Sequence, residues 1–226
     1  MGLVGANNPL VDWGWVSSNQ GKIASLLWQH VQLTAIAVAI GLAISLPVGV
    51  LAWRAQWLRP VAVGISGTLY VIPSVAVLAL AAPLTGFFSI TTAEVALVSY
   101  TLLVLVRNVI AGLDSVPPDA HQVARGMGYT TLQELFKVQL PLALPSIFAG
   151  LRVATVTTVG LVNVTAFIGQ GGLGQLIITG FTEDFNTPIV VGLALSVLLA
   201  AVADAAIVLL QTACLPWARG RGAVVR

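Results

Sequence analysis

The chain has 226 residues, of which 58% are hydrophobic and 8% are charged. Soluble domains carry about 25% charged residues, so this composition excludes an ordinary soluble globule. Ten Lys and Arg residues against eight Asp and Glu residues are too few and too dispersed for a nucleic-acid-binding surface. With one cysteine, Cys214, and two histidines, neither an internal disulfide nor a metal site is expected.

Three long runs contain no charged residue: residues 23–53, 60–93 and 153–182. Each run is longer than the ~20 residues that cross a hydrocarbon core. The pattern predicts an all-α polytopic membrane protein, with five transmembrane helices in a single domain over residues 1–226. The predicted spans are residues 29–53, 61–84, 92–113, 142–168 and 188–210. Pro73 removes one backbone hydrogen bond from the second span, so we expect a kink there.

The positions of Lys and Arg predict an N-terminus outside and a C-terminus in the cytoplasm. Only Lys22 falls on the outer side. The other nine cations are placed at the cytoplasmic side: Arg54, Arg59, Arg107, Arg125, Lys137, Arg152, Arg219, Arg221 and Arg226. The predicted outer loops hold three carboxylates: Glu94, Glu183 and Asp184. Four tryptophans lie near predicted span ends, at the level that amphipathic rings prefer: Trp28, Trp53, Trp57 and Trp217.

Residues 114–140 form a long predicted cytoplasmic segment that contains its own helix boundaries. Pro117 and Pro118 favour a helix start. Gly126 and Gly128 can end that helix, because glycine accepts left-handed dihedral angles. The segment therefore begins with one short helix and bends at Gly128.

A second short helix is predicted directly after this bend. Thr131 followed by Glu134 fits a capping box at its start, and Leu140 with Pro141 would close it. A bent helix pair of this kind suits force transfer from a partner protein to the membrane spans. An amphipathic loop that lies on the membrane remains an alternative on periodicity alone.

The same segment resembles the Glu-Ala-Ala loop of ATP-binding-cassette (ABC) importer permeases. That loop reads Glu-Ala-Ala, three residues, Gly, nine residues, then Ile-x-Leu-Pro. The corresponding residues here are Gln122, Val123, Ala124, Gly128, Val138, Gln139, Leu140 and Pro141. The spacing is met throughout, but Gln122 replaces the family's Glu and loses its charge, and Val123 replaces Ala. The resemblance implies that these residues, with Gly126, couple the chain to a separate ATPase.

Further patches resemble the glycine betaine, choline and carnitine uptake permeases, although methionine-type permeases share some of them. The patches are Ile72, Pro73 and Ser74; Arg107 and Asn108; residues 150–152; and the glycine-rich run 169–175. The resemblance implies the type I ABC importer permease fold and a half-transporter that pairs with a second permease subunit, identical or paralogous. It also implies two ATPase subunits that bind ATP and Mg²⁺, and an external solute-binding protein. This chain itself has no phosphate-binding Gly-x-x-x-x-Gly-Lys-Ser/Thr loop, so we expect neither a bound cofactor nor enzymatic activity.

Asp204 lies in the inner half of the fifth predicted span, where an isolated carboxylate costs about 2.5 to 3.5 kcal/mol. Arg107 and Arg152, near the cytoplasmic ends of their spans, are candidate partners. The pair could be a structural salt bridge or could act in gating. Asp204 also motivates a different class of function, a stand-alone ion-coupled carrier or channel, and a non-transporting membrane scaffold is a third hypothesis.

Polar residues within the spans are candidates for the translocation pathway. In the second span these are Tyr70, Pro73 and Ser74, where a kink would expose backbone groups, although a packing kink would look the same. In the fourth span Thr155, Thr158 and Thr165 share roughly one face, and Asn163 could line the route or bridge two helices. We interpret three further residues as structural: His30, His121 and Cys214.

Overall fold

The computed structural model describes residues 8–216, and within this range the backbone is helical without a β-strand. The α-helices are α1 Trp13–Ser18, α2 Gln20–Arg54, α3 Leu58–Val71, α4 Ser74–Thr85, α5 Ile90–Asp114, α6 Pro118–Gly126, α7 Thr131–Glu134, α8 Leu140–Val162, α9 Gly174–Thr182 and α10 Asn186–Cys214. A π-helical turn, Leu135–Gln139, joins α7 to α8, and a 3₁₀ segment, Val164–Ile168, follows α8.

The membrane spans agree with the predicted fold class. Among the described residues, four helices are long and apolar enough to cross a membrane: α2, α5, α10 and the continuous helix Thr131–Val162. Helices α3 and α4 make a fifth, bent span if they are taken together. Several helices begin earlier than predicted, because polar residues continue them beyond the apolar run. Four residues that entered the predicted topology lie outside the described range: Trp217, Arg219, Arg221 and Arg226.

The predicted kink at Pro73 is a complete break in the second span. Helix α3 ends at Val71, α4 begins at Ser74, and the chain bends by 98° between them. Pro73 has φ −54° and ψ 135°, outside the helical range. Proline has no N–H to continue the ladder and drives the residue before it towards extended backbone, so the helix stops and starts again.

The chain forms two compact units by its contacts. The described part of the first unit comprises residues 8–38, Ile72–Val98 and Thr155–Ala203. Its core contains Leu33, Ala37, Ala93, Leu97 and Val162, and a second cluster is built around Leu26, Leu173 and Leu176. His30 is fully buried here: its Nε2 lies 3.0 Å from the carbonyl oxygen of Val159, and the N–H of Leu173 donates to its Nδ1.

Glu94 corrects one prediction within this unit. The predicted topology counted it with the outer loops, although the predicted third span, 92–113, already contains it; the structure places it inside α5, with only 8% of its surface exposed. Helix α5 begins at Ile90, soon after Gly86 turns the chain with φ 100°. A charge that ends an apolar run therefore does not mark the end of the helix.

The described part of the second unit comprises residues 39–71, Ser99–Ala154 and 204–216. Its larger core cluster contains five residues of α5, the π turn and α8: Val109, Leu113, Leu135, Ala143 and Ile147. Leu42, Leu46, Val50 and Trp53 of α2 pack against this cluster. The predicted coupling segment belongs to this unit, and its start and end are therefore attached to the same core.

Candidate coupling and translocation sites

The coupling segment begins with α6. Pro117 is its N-cap, and Pro118 occupies the first turn, where a missing N–H costs nothing. The helix ends in a turn in which Gly128 has φ 78° and the N–H of Tyr129 donates to the carbonyl of Ala124 at 3.1 Å. Gly128 is thus the left-handed residue of the bend, whereas Gly126 is still helical. Ala124 is fully buried, on the face of α6 that packs inward.

The capping box of the following helix lies one residue earlier than predicted. Thr130 is the N-cap: its Oγ1 accepts from the N–H of Gln133, and the Gln133 side chain accepts from the N–H of Thr130 at 2.9 Å. The predicted pair of Thr131 and Glu134 is wrong. Glu134 does not cap the helix because its carboxylate points into the protein.

The second short helix does not close at Leu140 and Pro141, which corrects another prediction. Helix α7 continues through the π turn Leu135–Gln139 into α8 without a break. Pro141 lies two residues after this turn and lacks an N–H, so the local change in hydrogen-bond spacing accommodates it. Val138, Leu140 and Pro141 are half-buried. The second part of the coupling segment, α7 and the π turn, is therefore the N-terminal end of a membrane helix.

Glu134 lies at the centre of the coupling segment and is only 4% exposed. The Nδ1 of His121 lies 2.6 Å from its Oε1, and the Nε2 of Gln139 donates to the same oxygen at 2.8 Å. The Nε of Arg125 lies 3.7 Å from the other carboxylate oxygen. Bonds to an ionised acceptor are among the stronger ones in proteins, so this cluster ties α6 to the π turn.

The same cluster is attached to the end of α2. The ring of His121 stacks on that of Trp53, with centroids 6.4 Å apart and planes 16° from parallel. The Nη2 of Arg54 donates to the carbonyl oxygen of Thr131 at 3.1 Å. These contacts fasten both arms of the bent segment to one membrane helix.

A cavity of about 550 Å³, lined mainly by polar and charged residues, opens beside this cluster. It is lined by Trp53, Arg54, Gln56, Pro118, His121, Gln122, Arg125, Thr131, Glu134 and Gln139. Gln122, which replaces the family's Glu, therefore faces the cavity as a neutral side chain. Glu134, from the next helix, is the carboxylate among the residues that line the cavity.

The coupling segment exposes large apolar side chains among polar ones such as Gln122 and Arg125. Four large side chains, here called the coupling ridge, are about 60% exposed: Val123, Met127, Leu132 and Phe136. They come from α6, the bend, α7 and the π turn. A rigid support beneath an exposed apolar ridge is the arrangement expected of a surface that seats in a partner.

Asp204 pairs with Arg152 and not with Arg107. The Nε and Nη2 of Arg152 donate to the two oxygens of Asp204 at 2.7 and 2.8 Å. This bidentate pair links α8 to α10 within the second unit, whereas Arg107 is exposed and makes no ion pair with any residue in 8–216.

A Cβ on Gly150 would lie 2.5 Å from the Cβ of Asn108, so two of the patches that resemble osmoprotectant permeases pack directly together.

The candidate pathway residues fall into exposed and buried groups. Tyr70 is 39% exposed, Pro73 is exposed and Ser74 is half-buried. The three threonines of the fourth span are buried: Thr155, Thr158 and Thr165. Asn163 donates to the carbonyl of Val159 and accepts from the hydroxyl of Ser196, so it bridges two segments of the first unit. Tyr70 is therefore the one aromatic side chain among these candidates, and it is exposed.

Sequence reasoning missed the cluster around Glu134. His121 was interpreted as structural without a partner, and Trp53 only as an interfacial ring. The available signal was the Trp53–Arg54 pair at the end of the first charge-free run, which brings a ring and a cation to the cytoplasmic end of α2.

The chain is similar to known membrane permeases. Residues 37–214 match the family described as "Binding-protein-dependent transport system inner membrane component". The osmoprotectant import permease protein OsmW of Salmonella typhimurium is 38% identical over 84% of this chain and 90% of its own length. The glycine betaine/carnitine/choline permease protein OpuCD of Bacillus subtilis is 30% identical over 92% and 91%.

Solved structures agree with the family match. An inward-facing structure of the MetNI methionine ABC transporter superposes with a TM-score of 0.77 at 26% identity, and covers 85% of this chain and 95% of that one. The match supports the type I importer fold and speaks against the stand-alone carrier and the scaffold. The chain belongs to the family of inner-membrane permease components of binding-protein-dependent ABC importers.

Proposed function

We propose that the chain forms half of the translocation pathway of an ATP-driven importer for osmoprotectants such as glycine betaine, choline or carnitine. The relatives of highest identity given above are permeases for these solutes. The methionine transporter is similar in fold but only 26% identical, which favours a quaternary ammonium solute over an amino acid.

The observation that carries the coupling role is the rigid mounting of the coupling ridge. Glu134, His121 and Gln139 connect α6 to the π turn, and Trp53 stacks against them. A push on Val123 or Leu132 is therefore transmitted to the membrane helices and not absorbed by a flexible loop. Eight residues of the segment act together in this coupling: Gln122, Val123, Ala124, Gly126, Gly128, Val138, Leu140 and Pro141.

The proposed assembly contains two permease subunits, two ATPase subunits and a solute-binding protein. A separate ATPase binds ATP and Mg²⁺ and seats the coupling ridge, and a second permease, identical or paralogous, completes the pathway. A solute-binding protein delivers the solute from outside, and membrane lipid surrounds the spans. In this arrangement the N-terminus is outside and the C-terminus is in the cytoplasm, which agrees with the Lys and Arg distribution.

The charged and polar residues of the membrane spans have two roles in this proposal: some hold helices together, and others line the translocation pathway. We assign the Arg152–Asp204 pair to the attachment of α8 to α10, because each charge satisfies the other. Arg107 is free to meet a charge on another subunit. We assign Tyr70, Pro73 and Ser74 to the passage, together with Thr158, which is buried, and Asn163, which is half-buried.

The test is uptake by the complete importer in proteoliposomes. The chain is co-produced with its second permease, its ATPase and its solute-binding protein, and labelled glycine betaine, choline, carnitine and methionine are offered with ATP inside. We expect uptake of one or more betaines and no uptake of methionine. Methionine uptake alone would support the alternative function, the permease of an amino-acid ABC importer of the methionine type. Uptake driven by an ion gradient without the ATPase would contradict the proposal.

A variant pair tests the docking role of the ridge. Val123→Asp places a charge on the ridge, whereas Val123→Leu at the same position keeps it apolar. We expect Val123→Asp to reduce co-purification of the ATPase at least about tenfold, because a charge would be buried at the contact. Equal recovery of the ATPase with both variants would indicate that the ridge lies on the membrane or is free.

A further inference from the structure

The break in the second span leaves irregular backbone at membrane depth. Val71, the last residue of α3, is 81% exposed, and Pro73 is also exposed. Irregular backbone in the hydrocarbon region is tolerated only inside protein or beside a water-filled cavity. The end of α3 therefore faces an aqueous route or another subunit, and not acyl chains.

Two of the three tyrosines of the chain meet at this end of α3. The rings of Tyr70 and Tyr100 lie 5.5 Å apart and are tilted by 56°. Tyr100, from α5, is 9% exposed, whereas Tyr70 is 39% exposed. The buried ring supports the other ring, which offers an aromatic surface beside the break.

The electrostatics at this position favour a cation. The last turn of a helix leaves carbonyl oxygens without intrahelical donors, and the helix end carries a partial negative charge. Helix α3 has 14 residues and no basic side chain in its last turn. Its one cation, Arg59, is at the opposite end and pairs with Asp114 at 2.7 Å.

A quaternary ammonium group has no N–H, so it cannot be recognised by hydrogen bonds. Aromatic faces attract it through the ring quadrupole, and diffuse negative potential adds to this attraction. We propose that the ring of Tyr70, supported by Tyr100 at the end of α3, is a passage subsite for the quaternary ammonium group of the solute. This subsite deepens the proposed function and rests on it.

The test compares Tyr70 variants in the complete importer, reconstituted with excess binding protein and assayed over a range of choline concentrations. Tyr70→Leu removes the aromatic face, and Tyr70→Phe keeps it. We expect Tyr70→Leu to lower the maximal uptake rate of choline about threefold to tenfold, with the half-saturating solute concentration unchanged. Tyr70→Phe should keep most of the rate.

A fluorination series separates a ring quadrupole from a packing role. Phenylalanine with one, two and three ring fluorines at position 70 weakens the quadrupole stepwise with little change in volume. The uptake rate should fall with each fluorine. The same series at Phe181, which is 71% exposed on α9, is the control. Fluorination there should not change the uptake rate.

The outcomes distinguish the subsite from the proposed function. If the unmodified importer takes up no quaternary ammonium solute, the proposed function itself fails. If it does, and Tyr70→Leu transports as fast as Tyr70→Phe, only the subsite fails. A constant rate across the fluorinated series at position 70 would also overturn it.

Discussion

Glu134 and Glu94 are both buried carboxylates, but only Glu134 has partners. Glu134 is 4% exposed and lies within hydrogen-bonding distance of His121 and Gln139. Glu94 is 8% exposed, and neither of its oxygens has a hydrogen-bond partner in residues 8–216. Burying a charge costs free energy that hydrogen bonds and counter-charges offset. The first glutamate therefore stabilises the coupling segment, whereas the second destabilises the unit that contains it.

The largest effect is expected from Glu134→Ala. The substitution leaves His121 and Gln139 without their acceptor and detaches α6 from the π turn, which costs on the order of 3 kcal/mol for a buried pair. Uptake should fall more than about tenfold, and the thermal midpoint of the purified permease should fall with it. Glu134→Gln keeps one acceptor oxygen, so its uptake rate and thermal midpoint should lie between those of Glu134→Ala and the unmodified protein. Wild-type uptake by Glu134→Ala would mean that the cluster does not support coupling.

A smaller effect is expected at the bend, where the two glycines are a matched pair. A Cβ at Gly126 or at Gly128 meets no atom within 4 Å, and only Gly128 has a positive φ, 78°. Gly128→Ala should cost about 1 to 2 kcal/mol of left-handed strain, whereas Gly126→Ala should be neutral or stabilising by up to about 1 kcal/mol. Uptake and thermal midpoints of both variants check this, and equal losses would rule out the conformational explanation.

The smallest effect, of opposite sign, is expected from Glu94→Met. The change removes a buried carboxyl that has no partner and keeps a side chain of similar size, so stability should rise by about 1 kcal/mol. Thermal unfolding in detergent measures it, with Glu183→Gln at an exposed position as the control. A lower midpoint for Glu94→Met would show that Glu94 is stabilised by a contact in the folded chain, and would remove the contrast with Glu134.

The two glutamates also show what a sequence can predict. The apolar spans and the bend at Gly128 could be predicted, because charge-free length and glycine conformation are local properties. The role of Glu134 could not, since its partner His121 lies 13 residues away across a turn. Spacing alone placed Glu134 in a capping box that Thr130 and Gln133 form instead.

Prolines show the same limit. Pro73 breaks its helix by 98°, whereas Pro141 lies within a continuous one. Both prolines lack an N–H, so the difference comes from their surroundings. A π turn precedes Pro141, and α8 packs through Ala143 and Ile147 against the core of the second unit. Such support is tertiary and is not visible in a window of sequence.

The most direct test of the account is a cysteine cross-link from the coupling ridge to the ATPase. In a Cys214→Ala background the chain has no other cysteine, and Leu132→Cys then places one on the ridge. Leu209→Cys, an exposed position on α10, serves as the control. In membranes that contain the whole importer, a short bifunctional thiol reagent should join Leu132→Cys, and not Leu209→Cys, to an ATPase subunit carrying a surface cysteine at its permease-facing side. Absence of that adduct, together with labelling of Leu132→Cys by an impermeant thiol reagent from outside the cell, would contradict the account.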